Sequence, residues 1–131
     1  MPAEPAAAFE AVVRARDTAV DLVRSAARRG AELRGWEVDR AARRVLQDAG
    51  YGAQILHRTG HSLGEAVHGN GVHLDDYETH DDRRLLPGSG FTIEPGLYFP
   101  EFGVRTEINM VFGAGDAAVT GPCQTEILTI A

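Results

Sequence analysis

Lysine is missing from this chain: all thirteen basic residues are arginine, which reads as a bias toward GC-rich codons and not as chemistry. Cysteine occurs once, at Cys123, so no internal disulfide can form and a reducing, cytoplasmic compartment is the simplest expectation. Nor does the chain need a disulfide, since 131 residues can bury roughly two-thirds of the unfolded surface in one core. No apolar run approaches the roughly 20 residues of a membrane span. The start, MPAEPAAAFE, lacks the basic and then apolar pattern of a signal peptide. A formal net charge of −6 argues against a nucleic-acid partner, which needs clustered positive charge to meet phosphates. What remains is a single soluble domain over residues 1–131.

Its first third has helical period. Over 6–29, Phe9, Val12, Val13, Val20, Val23 and Ala27 recur at helical spacing, and Arg28 and Arg29 precede a stop at Gly30. Over 37–48 the stripe is Val38, Ala41, Ala42, Val45 and Leu46, with Gly50 as the stop. The short connection from Gly30 to Gly35 makes the two helices antiparallel neighbours. After Gly50 the pattern changes to glycines, prolines and short apolar alternations, hence strands and turns to Ile130. FTIEPGLYF (91–99) and GVRTEINMVF (103–112) are the clearest strands, TEILTI (125–130) is a further one, and HLDDYETHDDRRLLPG (73–88) is a polar, acidic connector. The expected fold class is α+β, two antiparallel helices packed on a mostly antiparallel sheet.

The two clear strands bring two carboxylates together. In a hairpin, opposed residues have a constant sum of residue numbers. A tight loop centred between Pro100 and Glu101 therefore sets Glu94 opposite Glu107, and the alternation puts both on one face with Arg105 and Asn109. Like charges directly opposed on a sheet are destabilising, and buried bare carboxylates far more so. Something positive should stand between them: Arg105, a shared proton or a metal ion. The segment HRTGHSLGEAVHGNG (57–71) gathers His57, His61 and His68. Carboxylate oxygens with imidazole and no thiolate suit Mn, Co, Fe or Zn. Taken singly, each of these residues is an ordinary salt-bridged or solvent-facing group. The paired register is what joins them.

Three stretches, HRTGH-x-x-G-x-x-x-H, then PG-x-x-FTIEPG-x-Y, then FGVR-x-E, together resemble the C-terminal half of the pita-bread metallopeptidases. That superfamily holds Xaa-Pro aminopeptidases, prolidases, methionine aminopeptidases and creatinase, and the match is closest to the Xaa-Pro branch. The resemblance extends to both helices, FEAVVRARD and GWEVDRAARRVLQDAGYG. It implies a site for two divalent ions, Mn or else Co, Zn or Fe, held by five side chains. His61 matches the histidine ligand, Glu94 the ligand that also serves as general acid/base, and Glu107 the bridging glutamate. His68 matches the histidine that contacts the substrate carbonyl, His57 a second active-site histidine, and Arg105 an arginine at the site. On this reading the glycines at 60, 64 and 69 let the strand bend so that His57, His61 and His68 approach one pocket. His73 and His80 have no counterpart and read as exposed loop histidines.

The implied activity is metal-dependent hydrolysis of a peptide bond near an N-terminus, in a short peptide with proline after the scissile bond. Departures from the family pattern accompany it. Two further aspartate ligands are expected on an N-terminal half that this sequence does not show, and Asp17 and Asp21 on the first helix are no substitutes. Ile108 and Asn109 follow Glu107 where the family commonly has an acidic residue. With three of five ligands, the chain alone is expected to hold at most one ion, weakly, and to need a complementary half or a second copy. The alternative function is a non-catalytic peptide- or protein-binding module.

Overall fold

The computed structural model describes residues 5–63, 71–121 and 124. Helix α1 spans Pro5–Arg29 and helix α2 spans Gly35–Asp48. The start of α2, earlier than its apolar period suggests, is a capping effect. Glu37 accepts a hydrogen bond from the Arg34 backbone N–H at 2.9 Å, satisfying a donor that a bare helix end leaves without a partner. Small residues line the buried face of α1, among them Ala8, Ala11, Ala15, Ala19 and Ala26, so the sheet and α2 pack close to its axis. One charge lies on that face: Arg16, only 3% exposed, donates from NH1 to Thr106 Oγ1 at 3.3 Å and to the Gln124 carbonyl at 2.6 Å. On α2 the apolar stripe is rotated from expectation. Val38, Ala42 and Leu46 are buried, but Asp39 joins them and not Ala41 or Val45.

Among the described residues six short strands follow: β1 Ser62–Leu63, β2 Gly90–Ile93, β3 Gly96–Tyr98, β4 Gly103–Arg105, β5 Ile108–Phe112 and β6 Ala117–Thr120. The main sheet has the order β1-β2-β5-β6 with every neighbour antiparallel, and β3 and β4 form a separate antiparallel ribbon. Strand β5 alternates as its sequence says it should, with Ile108, Met110 and Phe112 buried and Asn109 and Val111 exposed. Phe91 and Ile93 stand opposite Met110 and Ile108, and all four join α1, α2, Leu74 and Leu85 in one core. The expected strand 125–130 lies outside the described residues.

Strands β2 to β5 form one long hairpin in a single register. Ile93 pairs with Ile108, Gly96 with Arg105, and Tyr98 with Gly103, while the Phe99 N–H closes the loop onto the Phe102 carbonyl at 2.7 Å. The tight loop at Pro100 and Glu101 is the expected one. Between the two ladders the pairing is interrupted at Glu94, Pro95, Thr106 and Glu107. Pro95 has no N–H to give, and the Glu94 N–H is bonded instead to the Thr59 carbonyl at 2.6 Å. The break falls at the two glutamates.

The stretch 73–88, read as a polar, acidic connector, also contributes to the interior. Leu74 and Leu85 enter the core, and Asp75 and Asp81 are buried. Each carboxylate meets backbone donors: Asp75 takes the Tyr77 and Glu78 N–H groups, and Asp81 takes those of His73 and Arg83. Acidity here organises a turn, as Asx side chains do. Among the described residues no helix is long and apolar enough to cross a membrane.

Candidate metal centre

His61, Glu94 and Glu107 converge. Each offers a ligand atom, and the three atoms lie within 4.8 Å of one another. Glu94 and Glu107 come from the interrupted hairpin, where the shared register holds them opposite each other. His61 comes from the segment before β1, which is laid across β2 by two hydrogen bonds. The His61 N–H donates to Thr92 Oγ1 at 2.9 Å, and the Thr92 N–H donates to the His61 carbonyl at 2.9 Å.

The His61 ring is oriented by its own backbone. Nδ1 lies 3.0 Å from the Ser62 carbonyl, and since a carbonyl can only accept, Nδ1 carries the proton in that bond. Nε2 is then the atom turned to the carboxylates, 3.4 Å from Glu94 Oε2. A neutral imidazole whose other nitrogen donates to a carbonyl is the usual form of a metal-bound histidine. Ligand atoms on one ion stand about 3–4 Å apart, given metal–ligand distances of about 2.0–2.2 Å. The 4.8 Å that bounds this cluster is about an ångström beyond that range. The donor set fits a divalent ion of the Mn, Fe, Co, Zn group.

Two of the candidates for the positive partner can be located: Arg105, and a proton between the two carboxylates. Arg105 NH1 lies 3.9 Å from Glu94 Oε1, with its side chain half exposed. The Glu107 carboxyl is held above the usual carboxylate range, by burial first, then by the charge of Glu94 and a hydrogen bond with it, against the opposing pull of Arg105 and His61. The two carboxylates thus face each other across a hydrogen bond, with the Arg105 guanidinium at arm's length.

His57 stands beside this cluster and does not belong to the converging three. Its Nδ1 lies 2.6 Å from the Arg58 carbonyl and its Nε2 lies 2.7 Å from the Tyr98 hydroxyl. Nδ1 therefore donates, and Nε2 accepts from the phenol. Tyr98 was missed by sequence reasoning, although alternation along the strand places Glu94, Gly96 and Tyr98 on one face. Burial raises its phenol, Arg105 opposes that rise, and Glu94 adds to it. His68 lies outside the described residues.

Of the bend-giving glycines, Gly60 has another reason to be there. It is not among the glycines at positive φ. A Cβ on it would meet the Thr92 carbonyl oxygen at 1.9 Å, so glycine is required for the histidine segment to lie flat on β2. Gly64 and Gly69 fall outside the described residues. The remaining histidines divide. His80 is exposed, bonded to Asp76 at 2.7 Å and stacked on Trp36. His73, expected to be exposed, is half-buried and accepts the Ser62 N–H at Nδ1 over 2.9 Å. Burial and the nearby Arg58 lower its pKa, consistent with a neutral, accepting ring.

Comparison with known proteins identifies the family and the fold. The sequence profile of metallopeptidase family M24 matches residues 2–114. The probable dipeptidase PepE of Mycobacterium tuberculosis is 37% identical over 95 residues, covering 72% of this chain and 24% of the relative. The Xaa-Pro dipeptidase of Lactobacillus delbrueckii subsp. lactis is 43% identical over 72 residues, covering 54% of this chain and 18% of its own length. Among solved structures, dipeptidase PepE from Mycobacterium ulcerans superposes with a TM-score of 0.79 at 34% identity, covering 97% of this chain and 32% of that one. The prolidase of Pyrococcus horikoshii gives 0.78 at 30% identity, covering 92% and 32%. This chain thus spans no more than about a third of the relatives it matches. With one fold and one family profile running through most of its length, the chain belongs to metallopeptidase family M24, and its fold is the C-terminal half of the pita-bread fold.

Proposed function

We propose that the chain is the metal-holding C-terminal half of an Xaa-Pro peptidase, of aminopeptidase P or prolidase type, that cleaves a peptide bond preceding proline near an N-terminus. The observation that carries this reading is the convergence of one imidazole nitrogen and two carboxylates within 4.8 Å, at a break in an otherwise continuous hairpin. His61, Glu94 and Glu107 would hold a divalent ion, Mn²⁺ being our choice. When bound, such an ion acidifies a water and polarises the scissile carbonyl.

The protein's own groups do the rest. A Glu94 carboxylate oxygen takes the proton of the attacking water and returns it to the leaving amine. His68, assigned from its sequence spacing to His61, donates to the developing oxyanion. Arg105, 3.9 Å from Glu94, sets a positive charge beside that carboxylate. His57, its Nε2 accepting from Tyr98, lines the substrate side. The two remaining ligands of a five-ligand site would come from a complementary N-terminal half or from a second copy of this chain. A non-catalytic peptide-binding module is the rival reading, but an opposed glutamate pair facing an imidazole costs stability in such a module and gains it nothing.

The test is hydrolysis of a dipeptide with proline second, using the Mn²⁺-supplemented chain. Little turnover is expected from the chain alone, and Glu94→Ala should abolish whatever turnover is seen. Brisk turnover that survives Glu94→Ala contradicts the assignment.

A further inference from the structure

Asp39 occupies a position that its sequence does not explain. It lies within helix α2 on the face shared by Val38, Ala42 and Leu46, and it is 1% exposed. An aspartate inside a helix is unfavourable by propensity, and a buried carboxylate is costly unless donors surround it. Here four donors do. Oδ1 accepts the Thr59 backbone N–H at 3.0 Å and the Thr59 hydroxyl. Oδ2 accepts Arg43 NH2 at 2.7 Å and the Asp76 backbone N–H.

These donors lead to the metal centre. Thr59 sits midway between His57 and His61, and its carbonyl accepts the Glu94 N–H at 2.6 Å. One residue therefore hooks onto Asp39 with its N–H and hydroxyl and onto Glu94 with its carbonyl. Gly60, next along, exchanges two backbone hydrogen bonds with Leu74, at 3.2 and 3.1 Å. The same Asp39 carboxylate holds Asp76, two residues further on, so it secures both sides of that contact. The other two buried aspartates differ. Asp81 bonds within the connector, to His73 and Arg83. Asp75 serves its own turn and reaches Arg58 only at 3.5 Å.

We infer that Asp39 is a positioning residue for the metal centre: through Thr59 it fixes the spacing between the histidine segment and the Glu94 end of the hairpin. It touches neither substrate nor ion. The inference rests on the proposed metal site for its consequence in binding, but the positioning itself is readable without any metal.

The experiment compares the 131-residue chain with Asp39→Asn, Thr59→Val, Thr59→Ser and, as a control, Leu46→Ala. The control opens a cavity on the same helix face without touching Thr59. Two readouts are taken: amide hydrogen exchange residue by residue, and Mn²⁺ affinity by calorimetry. In Asp39→Asn an amide replaces Oδ1 or Oδ2, so donors are opposed by an N–H. Exchange at Thr59, Glu94 and Thr92 should then speed up about tenfold or more relative to the β5–β6 ladder. Mn²⁺ affinity should fall by about 10- to 100-fold, as it does when a partner behind a ligand is lost. Thr59→Val should show a smaller loss at the same amides, and Thr59→Ser should restore the wild-type pattern. Leu46→Ala should lower stability while moving all amides together. If Asp39→Asn and Thr59→Val instead change every amide in proportion to lost stability, as the control does, the positioning role is refuted. A wild-type chain that binds no Mn²⁺ refutes the metal reading separately, and the exchange pattern still decides Asp39 by the same two outcomes.

Discussion

Glu107 is held protonated more readily than an ordinary glutamate, chiefly by burial and then by Glu94. The sign of the consequence follows from linkage. A carboxyl whose folded pKa lies above its unfolded one binds more protons when folded, so its stabilising contribution is present at low pH and is lost as pH rises through the folded value. The metal-free chain should therefore melt at progressively lower temperature as pH rises just above the ordinary glutamate range. Glu107→Gln should flatten that decline, and melting curves of the two proteins across pH check it. Asp76 and Asp81 work in the opposite sense. His80 and Arg40 hold Asp76 below the carboxylate range, and for Asp81 the bonds from Arg83 and from backbone N–H groups outweigh burial. Their contributions fade as pH falls, so the comparison belongs on the high-pH side of the carboxylate range. A decline that is identical in Glu107→Gln places the strain elsewhere than in the glutamate pair.

Among the elements, the hairpin was the most legible and the segments facing it the least. The loop at Pro100 and Glu101 is local, and with a period of two it determines which residues oppose one another, so the register through Ile93–Ile108 and Gly96–Arg105 could be read in advance. The inward set of β5 was equally plain. Asp39 and the 73–88 connector were not, because an aspartate on a helix or in a loop reads as solvent-facing. What buries these carboxylates is donors from distant segments, and Thr59 is twenty residues from Asp39. Tyr98 and His57 meet across forty-one. Periodicity carries no information about such pairings. Gly60 illustrates the same limit: it suggested a bend, and it serves a close approach. Gly60→Ala should cost roughly 2–4 kcal/mol, since the new Cβ would overlap the Thr92 carbonyl oxygen, backbone that can only move by parting the histidine segment from β2. Denaturant unfolding measures the loss, and a cost under about 0.5 kcal/mol would mean the contact is looser than described.

At the scale of the whole molecule, two helices and a four-stranded sheet make one core among the described residues, and the hairpin carries Glu94 and Glu107 at its break. The chain covers less than a third of the Mycobacterium ulcerans dipeptidase it superposes on, and among its described residues His61, Glu94 and Glu107 are the group that could hold an ion. The central claim is that His61, Glu94 and Glu107 act as one receptor for a cation. It is tested most directly by calorimetric titration of the metal-stripped chain with Mn²⁺, beside a Glu107→Ala control. Saturable binding with a dissociation constant on the order of a millimolar or tighter, lost in the control, is the expected result. Absence of binding at that concentration, or binding that Glu107→Ala leaves unchanged, would contradict the account.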